Sequence, residues 1–324
     1  MIRVARSIAA AALGGLLAMP AARAVTWDMP TGYPDGVFHT ENAKQFAEDV
    51  KRATQGAVEI RIRAGATMMK LPEIKKAVAE GKVPIGEILL SVHAAENPVF
   101  GVDSIPFLAA SYDEAKRLWA ASRAPTEAAL KRQGIALLYA VPWPPQGIYT
   151  KKALATLDDL KGLKFRAYNP LTTRFAELVG ASPTTIEAAD VPKAFAEGRI
   201  EAMISSASSG AHGKSWEYLS HYYATQAWLP KNAVIVNIAA WEKLDAAVQK
   251  AIGEAARAAG ARGLAASIAE DESRKDMLRK NGVKVEKPTD ALQDAFKKIG
   301  AAMAAEWSKA AGAEGEAILK AYRQ

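Results

Sequence analysis

The chain has 324 residues, no cysteine and a formal net charge of +7. The absence of thiols excludes disulfides, cysteine nucleophiles, iron–sulfur clusters and cysteine-ligated zinc, so stability must come from the core, which this length can supply. The basic excess is small and interleaved with acids, as in Glu48-Asp49-Val50-Lys51-Arg52, which describes a solvated mixed surface and no nucleic-acid stripe, while still suiting a small anionic ligand.

The first residues read as an export signal. Met1–Arg6 is basic, Ile8–Met19 is apolar but too short to span a bilayer, and Ala22-Arg23-Ala24 is an A-x-A cleavage pattern. Residues 1–24 are therefore expected to be removed, leaving a soluble periplasmic chain that begins at Val25. Losing Arg3, Arg6 and Arg23 lowers the formal charge from +7 to +4. The remaining length, roughly 300 residues, suggests two domains.

Strands and helices then alternate. Ala43, Phe46, Ala47 and Val50 recur at helical spacing, and the helix stops near Gly56. Val58, Ile60 and Ile62 alternate with polar residues as in a half-buried strand. Leu71-Pro72-Glu73 opens a helix that ends near Gly81. Ile85–Leu90 is an apolar strand of the kind found inside parallel sheets. Ser111-Tyr112-Asp113-Glu114 is a capping box that starts a helix, Pro125-Thr126-Glu127 starts another, and Ile135–Val141 is a strand. This is the βαβ grammar of an α/β fold.

Pro142-Trp143-Pro144-Pro145-Gln146-Gly147 interrupts it and reads as a first crossing between two lobes. Thr156 and Asp159 cap a turn before a short strand that ends on Arg166, and Asn169 caps the helix Pro170–Val179. Ser182–Thr185 is extended, Glu187–Glu197 is helical and Ile200–Ser205 is a strand. Ser205-Ser206-Ala207-Ser208-Ser209-Gly210 reads either as a flexible loop or as the floor of a pocket. Val234–Val236 returns to the first lobe. Residues 242–280 are helical in character despite Gly253, Gly260 and Gly263, with no sustained heptad, which fits a single helix of roughly 57 Å along the backs of both lobes. Val283–Val285 is a short strand, and Asp290–Trp307 and Gly315–Tyr322 close the chain as helices. The lobes are expected to comprise residues 25–144 with about 234–262, and residues 145–233 with about 263–324.

Catalytic signatures are missing. His39, His93, His212 and His221 form no metal-binding spacing, and there is no nucleophile elbow, dinucleotide fingerprint or P-loop. No catalytic residue, metal or cofactor is expected. Arg166 remains, at a strand mouth beside a helix N-terminus, where an anion can be held. Spacing alone equally allows a surface arginine paired with Asp158 or Asp159.

The run Leu157-Asp158-Asp159-Leu160-Lys161-Gly162-Leu163-Lys164-Phe165-Arg166, followed by Asn169-Pro170 and Gly180-Ala181-Ser182-Pro183, resembles the extracytoplasmic solute-binding proteins of TRAP (tripartite ATP-independent periplasmic) transporters of the DctP type. Asp103-Ser104-Ile105-Pro106-Phe107-Leu108 and the helix Leu71–Gly81 resemble two further motifs of that family. The resemblance implies a two-lobed periplasmic binding protein fold with crossing strands and a long helix spanning both lobes. It implies an organic acid in the cleft, gripped by Arg166 through a bidentate salt bridge, and delivery to TRAP membrane subunits by a monomeric, non-enzymatic protein. Two departures point to one carboxylate, a monocarboxylate that is aromatic or hydroxylated. Gln146 stands where many members carry a second arginine, and Glu201-Ala202-Met203-Ile204-Ser205-Ser206 replaces the usual D-G-Q-E-N-P. Gln146, Asn169 and Ser205 are then expected to hydrogen-bond the solute, Trp143 and Trp228 to wall the cleft, and Phe38 or His39 and Ser91 to face it from the first lobe. A secreted two-lobed enzyme acting on a small acid, or a binding protein feeding a sensor, are the alternatives.

Overall fold

A computed structural model describes residues 24–324. The export signal expected over residues 1–24 lies outside them, Ala24 excepted. The first lobe opens with β1 (Val25–Pro30), α1 (Phe38–Ala53), β2 (Val58–Arg63), α2 (Leu71–Ala79) and β3 (Ile85–Leu89), followed by α3 (Tyr112–Lys131) and β4 (Ile135–Pro142). β1 and β2 pair in parallel. The apolar positions of α1 that recur at helical spacing, Ala43, Phe46, Ala47 and Val50, are all buried.

The second lobe follows with β5 (Gln146–Thr150), β6 (Lys164–Ala167), α4 (Pro170–Leu178), β7 (Ser182–Thr185), α5 (Val191–Ala196), β8 (Ala202–Ser206), α6 (Ala207–His212) and β9 (His221–Tyr223). The chain then returns through β10 (Lys231–Asn237), α7 (Ile238–Trp241) and α8 (Ala246–Lys280), and ends with β11 (Lys284–Glu286) and α9 (Asp290–Arg323). Besides the two-stranded β1-β2 sheet, one sheet runs β3-β10-β4 and another runs β11-β9-β5-β8-β6-β7. The structure is thus α/β and two-lobed.

Two crossings join the lobes: residues 143–145 between β4 and β5, and residues 224–230 between β9 and β10. They are hydrogen-bonded to each other, Trp143 N donating to Pro230 O at 2.8 Å and Gln146 N to Trp228 O at 2.9 Å. Behind them, α8 extends about 50 Å at 1.5 Å per residue. It packs on α1 and β4 in one lobe and on α6 and β11 in the other.

Several sequence expectations are corrected. β3 is apolar enough for a parallel sheet but pairs antiparallel with β10; such a run reports burial on both faces and carries no information on strand direction. Pro125 does not start a new helix. The buried stripe Ala115, Leu118, Ser122, Thr126 and Ala129 continues in register through it, and packing carries α3 past the one hydrogen bond that proline forfeits. The Glu187–Glu197 helix is shorter than expected, with a 3₁₀ turn at Ala188–Asp190 before α5. The two closing helices are distinct, as expected, since Gly312 (φ 55°, ψ −142°) leaves helical geometry and breaks α9 between them. Leu292, Phe296 and Met303 enter the second-lobe core. Trp307 and Ile318 instead pack with Val99, Val102 and Leu118, residues that the expected partition gives to the first lobe.

Glycine decides how closely α8 approaches the sheet. A Cβ on Gly263 would lie 2.4 Å from Val141 Cγ2, whereas one on Gly253 would meet nothing within 4 Å. Gly263→Ala should therefore destabilise the protein by about 1–3 kcal/mol, and Gly253→Ala should stabilise it by about 0.5–1 kcal/mol. Urea titration of both variants checks the opposite signs.

Glu87, in the middle of β3, is only 2% exposed. Thr31 Oγ1 donates to its Oε2 at 2.5 Å, and the buried His39 Nδ1 lies 3.8 Å from its Oε1. Burial pushes the Glu87 carboxyl up to about 6, against the opposing pull of the Thr31 hydrogen bond, and burial pushes His39 down. The folded state thus holds a proton on Glu87 that the unfolded chain releases near 4.5. Stability from this group is present below pH 4.5 and is lost as pH rises to about 6. Glu87→Gln, which mimics the protonated acid, should match the wild type in acid and exceed it by about 2 kcal/mol above pH 6. Denaturation at a series of pH values reads the difference, and a constant gap across the range would contradict it.

Candidate ligand site

A cavity of about 170 Å³ lies between the lobes at the crossings. Tyr33, Val37 and Leu89 contribute from the first lobe, Trp143, Gln146 and Pro230 from the crossings, and Arg166, Tyr168, Glu187, Ser205, Ser209 and His212 from the second.

β6 delivers Arg166. Its alternation leaves Lys164 exposed, drives Phe165 into the core and turns Arg166 to the opposite face, where it is 5% exposed and lines the cavity. Nε donates to Ile186 O at 3.0 Å, and the guanidinium carbon lies 4.8 Å from the Tyr168 ring centroid. Among the described residues no carboxylate lies within 4.0 Å of Arg166, and its Nη atoms have no protein acceptor. The surface pairing that spacing allowed is not formed: Asp158 pairs with Lys161 at 2.8 Å, and Asp159 accepts from Thr156 N. Burial pulls the guanidinium pKa down, while Tyr168 and Glu187 oppose that shift. Glu187 is half-buried, and burial raises its carboxyl pKa against the influence of Arg166.

Of the residues expected at the site, Arg166, Gln146, Ser205 and Trp143 line the cavity. Gln146 is largely committed to the crossing, since its Nε2 donates to Pro144 O at 2.8 Å and its Oε1 accepts from Tyr168 Oη at 3.2 Å. The serine run is no flexible loop. Ser206 caps α6 by accepting from Ser209 N at 3.0 Å, and Ser205 and Ser209 face the cavity.

The other five stand outside the cavity lining, each for a physical reason. Asn169 Oδ1 accepts from Thr172 N at 2.7 Å as the cap of α4, and its Nδ2 donates to Ser91 Oγ at 2.8 Å, so Asn169 and Ser91 bond each other. Trp228 is fully buried behind Tyr168, to whose hydroxyl its Nε1 donates at 3.0 Å. Phe38 and His39 pack instead against Trp143, Phe38 edge-on and His39 tilted, with ring centroids at 5.3 and 4.4 Å. Trp143 is held in place by Nε1 donating to Asn232 Oδ1 at 2.9 Å.

Sequence reasoning missed Tyr33, Tyr168, Glu187, Ser209 and His212. Tyr168 follows β6 directly, two residues after the Arg166 already singled out. Tyr33 and Glu187 come from a turn and a helix start, where no periodicity marks direction. Among the described residues no group of three His, Asp or Glu is placed to hold a metal ion, and none of the helices is long and apolar enough to cross a membrane.

The fold and sequence recur in known proteins. Residues 32–310 match the sequence model of the family described as bacterial extracellular solute-binding protein, family 7 (DctP). DctP7 of Bordetella pertussis, an extracytoplasmic solute receptor binding pyroglutamic acid, is 44% identical over 93% of this chain and 100% of its own, with a TM-score of 0.92. A marine metagenome TRAP solute binding protein specific for pyroglutamate is 42% identical over 93% of this chain and 99% of its own, with a TM-score of 0.91. A solute-binding protein of Chromohalobacter salexigens is 26% identical over 76% of each chain. The chain belongs to the family 7 bacterial extracellular solute-binding proteins, the DctP-type receptors of TRAP transporters.

Proposed function

We propose that the protein captures pyroglutamate, a cyclic monocarboxylate, in the periplasm and delivers it as a monomer to a TRAP membrane permease, after removal of residues 1–24. The observation that carries this reading is the buried Arg166, whose Nη atoms have no protein acceptor among the described residues. A guanidinium fork matches one carboxylate with two parallel hydrogen bonds. Gln146 supplies no second cation, and Glu187, which also lines the cavity, repels a second anion. That favours a neutral donor beside the carboxylate, which the lactam N–H, attached to the carboxylate-bearing carbon, supplies to Glu187. Ser205 and Ser209 offer hydroxyls to the ring carbonyl, and Val37, Leu89 and Trp143 cover its methylenes. Two receptors more than 40% identical to this chain bind the same acid. In this reading the protein binds and releases its solute unchanged.

Thermal shift with a panel of acids tests the solute. Pyroglutamate should raise the melting temperature, whereas glutarate and succinate should not; stabilisation only by sugars or by free amino acids would refute the proposal. In calorimetry, Arg166→Ala should cost about 2–5 kcal/mol of binding, since the solute carboxylate would be buried unpaired. Glu187→Gln keeps the shape but removes the repulsion. It should weaken pyroglutamate by about 1 kcal/mol and narrow the preference over glutarate, and an unchanged preference would remove Glu187 from the site.

A further inference from the structure

Asn169 and Ser91, both expected to touch the solute, touch each other instead. Asn169 belongs to the second lobe, at the cap of α4, and Ser91 belongs to the first, in the 3₁₀ turn Leu90–His93 just after β3. Both side chains are buried, and neither lines the cavity. The amide orientation is fixed by the cap. Oδ1 accepts from Thr172 N at 2.7 Å, and Asn169 N in turn donates to Thr172 Oγ1 at 3.0 Å, which leaves Nδ2 to donate to Ser91 Oγ at 2.8 Å. Among the described residues this is the only hydrogen bond between a side chain of residues 25–93 and one of residues 146–223.

We infer that the Asn169–Ser91 hydrogen bond is a latch between the lobes that sets how much of the protein is closed, and so fixes the affinity for every solute by a common factor. The geometry supports this in two ways. First, the segment Arg166–Asn169 carries both the solute anchor and the latch donor on one short strand and turn, so seating a carboxylate and forming the latch position the same rigid unit. Leu89, two residues before Ser91, lines the cavity from the first lobe. Second, separation of the lobes returns both groups to water, where neither is penalised. Closure with one partner removed buries the other unsatisfied. Ser91 and Asn169 are therefore positioning residues that act through closure and not through the solute. The inference rests on the solute-binding reading above but not on the identity of the solute.

The test uses the full mature chain with Ser91→Ala, and Asn169→Ser as a second variant, since serine still caps a helix but is too short to reach Ser91. Dissociation constants are measured for pyroglutamate and for 2-furoate, a flat five-membered-ring acid. The chain has no cysteine, so thiols introduced at the exposed Glu80 and Glu197 accept a dye pair that reports the closed fraction by single-molecule energy transfer. Both acids should weaken by the same factor, about tenfold, through faster release, and the closed fraction should fall with or without solute. An unchanged closed fraction, or a loss that differs more than threefold between the acids, would overturn the latch. Failure of pyroglutamate to bind the wild type would instead count against the proposed solute, and the ligand-free closed fraction would still decide on the latch.

Discussion

A guanidinium almost completely removed from water, with no carboxylate beside it among the described residues, is the constraint on which the cleft depends. Burying a lone charge costs several kcal/mol. Here one hydrogen bond to the Ile186 carbonyl and the face of Tyr168 offset part of that cost. In the proposed reading, the remainder is relieved when an anionic solute pairs with the two Nη atoms in a site from which water is excluded. The same imbalance makes the solute favour whichever arrangement of the lobes surrounds it best, which is the thermodynamic content of closure around a ligand.

The surrounding architecture serves this one side chain. β6 is short, so Arg166 sits near its end, and the chain turns at once into the capped N-terminus of α4. The two crossings are tied by main-chain hydrogen bonds, and they place Trp143, Gln146 and Pro230 along the cavity that the arginine lines. Asp103, in the motif Asp103–Leu108, extends this bracing. Its carboxylate accepts from Lys231 N at 2.9 Å at the start of β10, next to the Asn232 that holds the Trp143 indole. On the back, α8 spans both lobes, and Gly263 lets it lie directly against Val141 at the end of β4.

Much of this was legible in the sequence wherever a local rule was at work. Helical spacing marked the buried face of α1, the proline run 142–147 marked the first crossing, and the caps at Ser111 and Asn169 marked helix starts. The motif ending on Arg166 pointed to a residue that does line the cavity. Contributions assembled from distant segments were not legible. Tyr33 meets Arg166 only because the first lobe folds against the second, and Glu187 and His212 come from separate elements of the second lobe, with nothing in their neighbourhoods to distinguish them from surface residues. Asn169, Ser91 and Trp228 were misplaced for a related reason. Their polar groups suit a ligand, but a helix cap, a serine across the cleft and a tyrosine hydroxyl claim them first. The direction of β3 escaped because its apolar run records burial on both faces and nothing more.

The central claim is that Arg166 holds a single carboxylate while Glu187 refuses a second. Electron density in the cleft of protein purified without added ligand, read together with the mass of whatever co-purifies, tests it most directly. The account predicts a monocarboxylate of pyroglutamate's mass, its carboxylate on the Nη atoms of Arg166 and its N–H directed at Glu187. A solute bearing two carboxylates, or one whose charged group lies away from Arg166, would contradict it.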